Sequence, residues 1–454
     1  MSERVQGYRY AGDIEVKFIK FISQTGEMTD ISAITTEVNI FQDMFEHYIQ
    51  GEIVVSDAVA LLDSLQGDSR LGIEGGFTGG EVVVIAYKTR SDDLDFKTHF
   101  FGVYDISDRQ RLDDKIEAYV LHCISAEAYQ ATPKKISRSY GGTKGNVISN
   151  MVKSVVNEFV YNKAIIDFHR NYRDVLGVRV EKEVMVDPTN GVQRFIIPNM
   201  TVDDTIDFFA SEADNDNHIP YFTFFECAKG FSFRDINQLV QQDVKEEYTY
   251  VSTNVKDEEN DPELAVRDYQ KIIDYKVVRQ TNILGNVKSG LFSQQILNLD
   301  ILKKNISKVN FNYEKEHSRF NTLQKNKIPG QVEGDPVVHL IQSRTGQDVC
   351  CPLFEPEKHL PKRINQFIAR RESYQRHIFN MLMEVVIPGD SELDVGDVIK
   401  LNIPTATDLK KRDGKRDKYL SGKYLITKVR HIFGGKTGQT FTTIIECTKD
   451  TGIE

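Results

Sequence analysis

Short runs rich in Ile, Val, Phe and Tyr open the chain: Ile14–Ile22, Val38–Phe41, Ile49–Val55 and Val82–Tyr87, each bounded by turn residues, form the pattern of β-strands. Between the third and fourth runs, Asp57–Leu65 sets Ala58, Leu61, Leu62 and Leu65 on one helical face with Asp57 as N-cap, and the glycine-dense stretch Gly72–Gly80 follows. Phe100–Ile106 and Ile116–Ser125 restore strand character across the polar turn Arg109–Lys115. Residues 1–125 therefore predict one β-barrel or sandwich carrying one short helix.

The period changes near residue 126. Val147, Ile148, Met151, Val152, Val155, Val156 and Phe159 recur at helical spacing. A second helix is predicted after Pro198, with Thr201 as its cap, Asp204 three residues on, and Ile206, Phe209, Ala210 and Ala213 facing inward. Tyr221–Cys227 and Phe231–Arg234 flank Ala228-Lys229-Gly230 as a β-hairpin. Residues 126–262 are thus expected to form an α+β domain whose tail, 241–262, is an acidic insertion or linker with few hydrophobic anchors.

Strand-like Lys271–Val278 and the run Leu291–Leu302 come next, and the polar, proline-punctuated region 303–370 predicts an insertion of loops and short elements associated with the α+β domain. Near the C-terminal end, Ile378–Ile387, Leu393–Leu401, Tyr424–Phe433 and Thr440–Thr448 have strand patterning, with Pro388, Gly389, Gly396 and Gly422 as structural turn residues. They predict a second barrel, built from 263–302 and 371–454.

Across 454 residues, 40% apolar and 27% charged side chains are ordinary globular usage, which can fold throughout. At roughly 150 residues per domain the length suggests about three. The net charge of −10 argues against a free-standing nucleic-acid binder, because phosphate recognition usually leaves a basic domain. No run approaches the roughly 18 to 20 uninterrupted apolar residues of a bilayer crossing, and the N-terminus lacks a leader pattern, so a soluble, unsecreted chain is expected. Five scattered cysteines make neither a disulfide framework nor a zinc tetrahedron, and the adjacent Cys350 and Cys351 are expected to be free thiols.

No catalytic motif assembles: GxSxG, HExxH and GxxxxGK[ST] are absent, and Gly141–Gly145 is expected to be a turn. Asp203, Asp204, Asp207, Asp214 and Asp216 miss calcium-loop spacing and fit solvation and helix capping. The ten histidines are dispersed, so no catalytic, cofactor-binding or metal residue is assigned. The strongest charge feature is Lys410, Lys411, Arg412, Lys415, Arg416 and Lys418, centred on Asp413-Gly414. It is either a solvated hairpin tip or a loop that docks on an acidic partner surface, and the second reading makes it the candidate partner-docking site.

The order of elements resembles the baseplate hub proteins of contractile-tailed bacteriophages, relatives of the hub part of type VI secretion spike proteins. Four passages carry the likeness: Asp57–Leu65 followed by Gly72–Glu81; Phe100–Ile106 leading to Tyr119–Glu127; Ile196–Asn199 with its helix and the aromatic hairpin ending Gly230–Phe233; and Val386–Asp390, Leu393–Asp397 and Tyr419–Ile426, running on to Glu446 and Lys449-Asp450. The resemblance implies an α+β, β-rich fold with two tube-like β-barrel domains, an intervening α/β domain and insertions. It further implies a homotrimeric ring with pseudo-six-fold symmetry, adapting a hexameric tail tube to a trimeric central spike and passing DNA through its lumen without specific binding. The implied partners are further copies of the chain, the spike protein, a tail tube or tube-initiator protein, and wedge or tape-measure proteins. The implied location is the virion tail baseplate, assembled in the host cytoplasm, with no membrane insertion, no cofactor and no enzymatic activity. Two competing expectations remain: a virion-associated glycan hydrolase using an unidentified carboxylate pair, and a tube or injection-device subunit with another ring number.

Overall fold

The computed structural model describes residues 11–24, 26–58, 80–89, 94–113, 116–141, 145–178, 181–250, 269–300, 304–324, 326–328, 335–342, 364–405, 416–435 and 440–452. Asp57, the expected helix cap, is described and pairs with Glu117 at the end of a strand; residues 59–65 of that expected helix, the glycine-dense stretch before Gly80, the interior of the Gly141–Gly145 turn, the acidic stretch 251–262, Cys350 and Cys351 lie outside the described residues.

The N-terminal runs become β1 (Ile14–Ile22), β2 (Met28–Asp30), β3 (Thr35–Asp43), β4 (Gln50–Asp57), β5 (Val82–Thr89), β6 (Lys97–Asp113) and β7 (Ile116–Ser125). They lie in the order β3-β4-β7-β6-β5-β1-β2. Although β3 and β1 are far apart in that order, their inward residues Val38, Ile40, Ile14 and Ile19 share one core with Ile53, Val83, Phe101 and Leu121, so the sheet curls on itself. The expected end of β6 at Ile106 is exceeded: its polar continuation to Asp113 is held by backbone pairing with β7, which needs no hydrophobic pattern.

After Ser125 come α1 (Ala126–Ala131), β8 (Lys135–Tyr140), α2 (Ile148–Val155), α3 (Lys163–Leu176), β9 (Glu183–Val186), β10 (Phe195–Thr201), α4 (Val202–Glu212), β11 (Phe222–Cys227), β12 (Gly230–Asp235) and α5 (Ile236–Leu239). β8 pairs with β10, while β11, β12 and β9 form a three-stranded sheet. Met151, Val155, Ile206, Phe209, Phe224 and Phe233 pack in one core between them. Thr201 caps α4 by accepting the Asp204 N–H at 3.1 Å, and its hydroxyl donates to Asp204 Oδ2 at 2.7 Å.

The remaining elements are β13 (Glu246–Tyr250), β14 (Lys271–Ile272), β15 (Asp274–Arg279), α6 (Ile283–Lys288), β16 (Ser293–Asp300), β17 (Asn305–Asn312), α7 (Tyr313–Glu316), β18 (Val337–Gln342), α8 (Ile364–Ile378), β19 (Met381–Pro388), β20 (Val398–Asn402), β21 (Gly422–Phe433) and β22 (Thr442–Lys449). The second barrel differs from the expected composition. β13, from the segment expected to be a linker, pairs parallel with both β20 and β14. The almost continuous strand β14–β15 then passes on to β19, which closes the ring through β22, β21 and β20. By contrast, β16 lies in a separate sheet with β17 and β18. Residues 371–378 belong to α8, where Tyr374 and Ile378 are core residues, so the strand begins at Met381 instead of Ile378. Of Leu393–Leu401 only the end is strand, because the Asp397 side chain accepts the Asp394 N–H at 2.9 Å and Gly396 turns the chain at φ 85°.

Both barrels meet in one 14-stranded sheet, and β21 is the shared element. Its first part pairs with β20, and after a bulge at Ile426/Lys428 its second part pairs with β3, from Lys428↔Asp43 to Phe433↔Val38. The bulge redirects the strand from one barrel to the other. Phe433 and Phe441, from the C-terminal hairpin, consequently lie in the core of the first barrel.

Candidate functional site

The base of the basic loop is built from β13, β20 and the entry to β21. Pro404 and Arg416 form an isolated β-bridge that brings the two ends of the loop together. Asp417 accepts from the Tyr419 and Leu420 N–H groups at 2.8 and 3.1 Å, and its own N–H donates to the Ile403 carbonyl at 2.7 Å. Arg416 Nη2 lies 3.8 Å from Glu247 Oε1, and Lys400 Nζ lies 3.3 Å from the same oxygen. The Asn402 amide donates to Glu247 as well, and this hydrogen bond, followed by Lys400 and Arg416, lowers the Glu247 pKa. Arg416 and Lys418 are exposed; Lys410, Lys411, Arg412 and Lys415 lie outside the described residues. The turn residues are placed as follows: Pro388 ends β19, Gly389 donates its N–H to the Phe441 carbonyl at 2.8 Å, Gly396 donates to Ile426 at 3.0 Å, and Gly422 opens β21.

Where the first barrel meets the α+β unit, the structure gathers charges that carried no signal in the sequence. Lys182 Nζ lies 2.7 Å from Glu127 Oε1 and 2.6 Å from Glu226 Oε1, and both carboxylates are fully buried. Glu226 also accepts the Ile49 N–H at 3.1 Å, linking the hairpin β11–β12 to the start of β4. Burial opposes the charge on Lys182, yet the two facing carboxylates outweigh it and raise its pKa. Two acids share one ammonium, so burial raises the Glu226 pKa despite Lys182. The nearby His169 is held neutral, its pKa lowered to about 3 by burial and by Lys182. This carboxylate pair is sealed inside the protein and bridged by a lysine, an arrangement that joins two units and cannot receive a glycan.

Elsewhere, Tyr48 donates to Asp203 at 2.7 Å and His47 contacts Asp207 at 2.9 Å, so two members of the Asp203–Asp216 group tie α4 to the β3–β4 connection. Among the described residues no His, Cys, Asp or Glu cluster has metal-holding geometry. Cys123, Cys227 and Cys447 are buried free thiols. No helix among the described residues is long and apolar enough to cross a membrane. Exposed apolar side chains occur near the end of β15 and the start of α6 (Val278, Ile283, Leu284) and on the β16–β17–β18 sheet (Ile306, Val338, Leu340).

No family model matches the sequence, and no curated protein matches it. Solved structures do match. A tail protein from Neisseria meningitidis MC58 aligns at 8% identity and TM-score 0.50, covering 98% of this chain and 97% of that one. The chain has the fold of phage tail proteins. A second likeness of equal TM-score, 0.50 at 8% identity, is the 43 kDa tail protein of prophage MuSo2 from Shewanella oneidensis, covering 97% of this chain and 100% of that one. A Francisella PdpA–VgrG complex is a looser match, with TM-score 0.43, covering 96% of this chain and 58% of that one. The tail-protein fold is α+β and β-rich, as the resemblance implied, and both tail proteins are matched end to end.

Proposed function

We propose that this protein is a structural hub of a phage tail baseplate: a homotrimeric ring that joins the hexameric tail tube to a trimeric central spike and lets DNA pass through its lumen. The observation that carries the reading is the shared strand β21, which makes two barrels one covalent and hydrogen-bonded body. Three such bodies present six barrels, so a closed three-fold ring offers six similar docking faces to a tube and three to a spike. The modules are the first barrel (β1–β7), an α+β domain following it, and a second barrel that draws on β13, β14 and β15 as well as β19–β22. The tail-protein fold supports a location in the virion tail and a structural role there.

Partners in this reading are further copies of the chain, the spike, a tube or tube-initiator protein, and wedge or tape-measure proteins. The basic loop Lys410–Lys418 docks on an acidic partner surface, its ends fixed by the Pro404–Arg416 bridge. Single-particle imaging of the purified protein, alone and with a candidate spike, tests the proposal. Rings with three-fold symmetry and six peripheral barrels support it; an open monomer that neither self-associates nor binds a spike contradicts it.

A further inference from the structure

A cleft of about 610 Å³ opens where the end of β15, α6, the last turn of α8 and the bulge of β21 meet. Phe45, in the β3–β4 connection, forms one wall, with its ring 5.4 Å from that of Phe379 in an edge-on arrangement. Arg279, Lys288, Arg376 and Lys428 line the cleft, all four exposed; Glu446 is the carboxylate in the lining, and Asp43 and Glu46 also face Lys428. Lys428 pairs with Asp43 at 3.0 Å, and Arg279 donates to the Phe379 carbonyl. Lys288 and Arg376 have no acidic partner among the described residues. In a chain of net charge −10, cations gathered around an aromatic-walled hollow concentrate positive potential against the overall field.

We propose that this cleft binds an acidic, extended peptide segment of a partner protein. Its carboxylates meet Arg279, Lys288, Arg376 and Lys428, and an apolar side chain packs on Phe45 and Phe379. The volume is that of a small-ligand pocket and admits a few residues of one strand, whereas a nucleic-acid duplex is too wide to enter. A short acidic segment also meets less long-range repulsion from an acidic chain than a continuous phosphate backbone does. The cleft is formed within one chain, so the inference does not depend on ring formation.

The test is a fluorescence-anisotropy titration of the full chain with a fluorescein-labelled peptide, Glu-Leu-Asp-Phe-Glu-Asp, and with the same peptide carrying Gln and Asn in place of its acids. The acidic peptide is expected to bind at least about tenfold more tightly than the neutral one, with affinity falling as salt is raised. The double variant Lys288→Ala/Arg376→Ala is expected to weaken binding about tenfold and Lys288→Glu/Arg376→Glu to abolish it, while Lys308→Ala, on β17 and outside the cleft lining, leaves it unchanged. Unaltered thermal melting shows that the variants fold. No binding, equal binding of the neutral peptide, or unchanged affinity in both double variants overturns the proposal. Displacement of the peptide by oligothymidylate at lower concentration than by unlabelled peptide also overturns it and assigns the cleft to nucleic acid.

Discussion

The fusion of the two barrels can be tested at one atom. Gly389, just after β19, faces Phe441, and a Cβ added there would sit 1.9 Å from Phe441 Cγ and 2.1 Å from Cδ1. Ordinary carbon contacts are about 3.5–4.0 Å, so Gly389→Ala must move the ring. That ring is 1% exposed and belongs to the core of the first barrel, 5.8 Å from Phe433 and 6.0 Å from Tyr87. If the ring shifts within the core, the cost is about 1–3 kcal/mol; if it is expelled, the loss approaches the about 3–5 kcal/mol of a buried Phe→Ala change. In a Phe441→Ala background the obstruction is gone, and Gly389→Ala should cost no more than about 0.5 kcal/mol, a coupling of roughly 1–3 kcal/mol or more. The four proteins of this cycle are compared by urea unfolding, followed by far-UV circular dichroism and tyrosine fluorescence because the chain has no tryptophan. Hydrogen exchange adds location: β4 of the first barrel and β20 of the second should lose protection together. Additive costs, or loss of protection confined to the C-terminal strands, would refute the shared core.

Replacing Lys182 with Met leaves Glu127 and Glu226 buried without a counter-charge, and the expected destabilisation is about 3–5 kcal/mol at neutral pH, shrinking as acid protonates Glu226, whose pKa burial raises; a denaturation midpoint that moves equally at pH 7 and pH 5 would count against the bridge. His99 is buried with its pKa lowered to about 3 by burial and by Lys182, so the unfolded chain binds its proton first as pH falls below the ordinary 6.5. Its contribution to stability is therefore complete above about pH 6.5 and lost as pH approaches 3, and His99→Gln should flatten the acid side of the stability profile measured by urea midpoints. Reversing the charges of Lys410, Lys411, Arg412 and Lys415 should weaken spike or tube docking in pull-down at physiological salt while leaving the ring intact; unchanged docking would leave the loop a solvated tip.

Local signals were legible where local physics decides the structure. Ile14–Ile22 carried enough β-branched and aromatic side chains to mark β1 at both ends, Thr201 and Asp204 marked the start of α4, and the aromatic runs around Ala228-Lys229-Gly230 marked the β11–β12 hairpin. What the pattern hid depends on partners far along the chain. β13 has only one buried side chain, Tyr248, and exists because β20 and β14 supply its hydrogen bonds from both sides. Helix α8 carries three Arg and two Gln, and its inward residues Tyr374, His377 and Ile378 show as a face only once the neighbouring sheet and Phe320 are in place. Glu127, Lys182 and Glu226 lie far apart in sequence, with no spacing to announce that the fold brings them together. The seam β21–β3 joins opposite ends of the chain through backbone groups, and backbone pairing leaves little trace in side-chain composition.

If one chain supplies two linked barrels, three copies close a ring. Native mass spectrometry at physiological salt reads the copy number directly. The dominant species is expected to contain three chains: three times 51.9 kDa, about 156 kDa, for the chain alone, or that mass plus the spike's once the spike is added. A stable hexamer, or a monomer that persists at high concentration with every partner present, would contradict it.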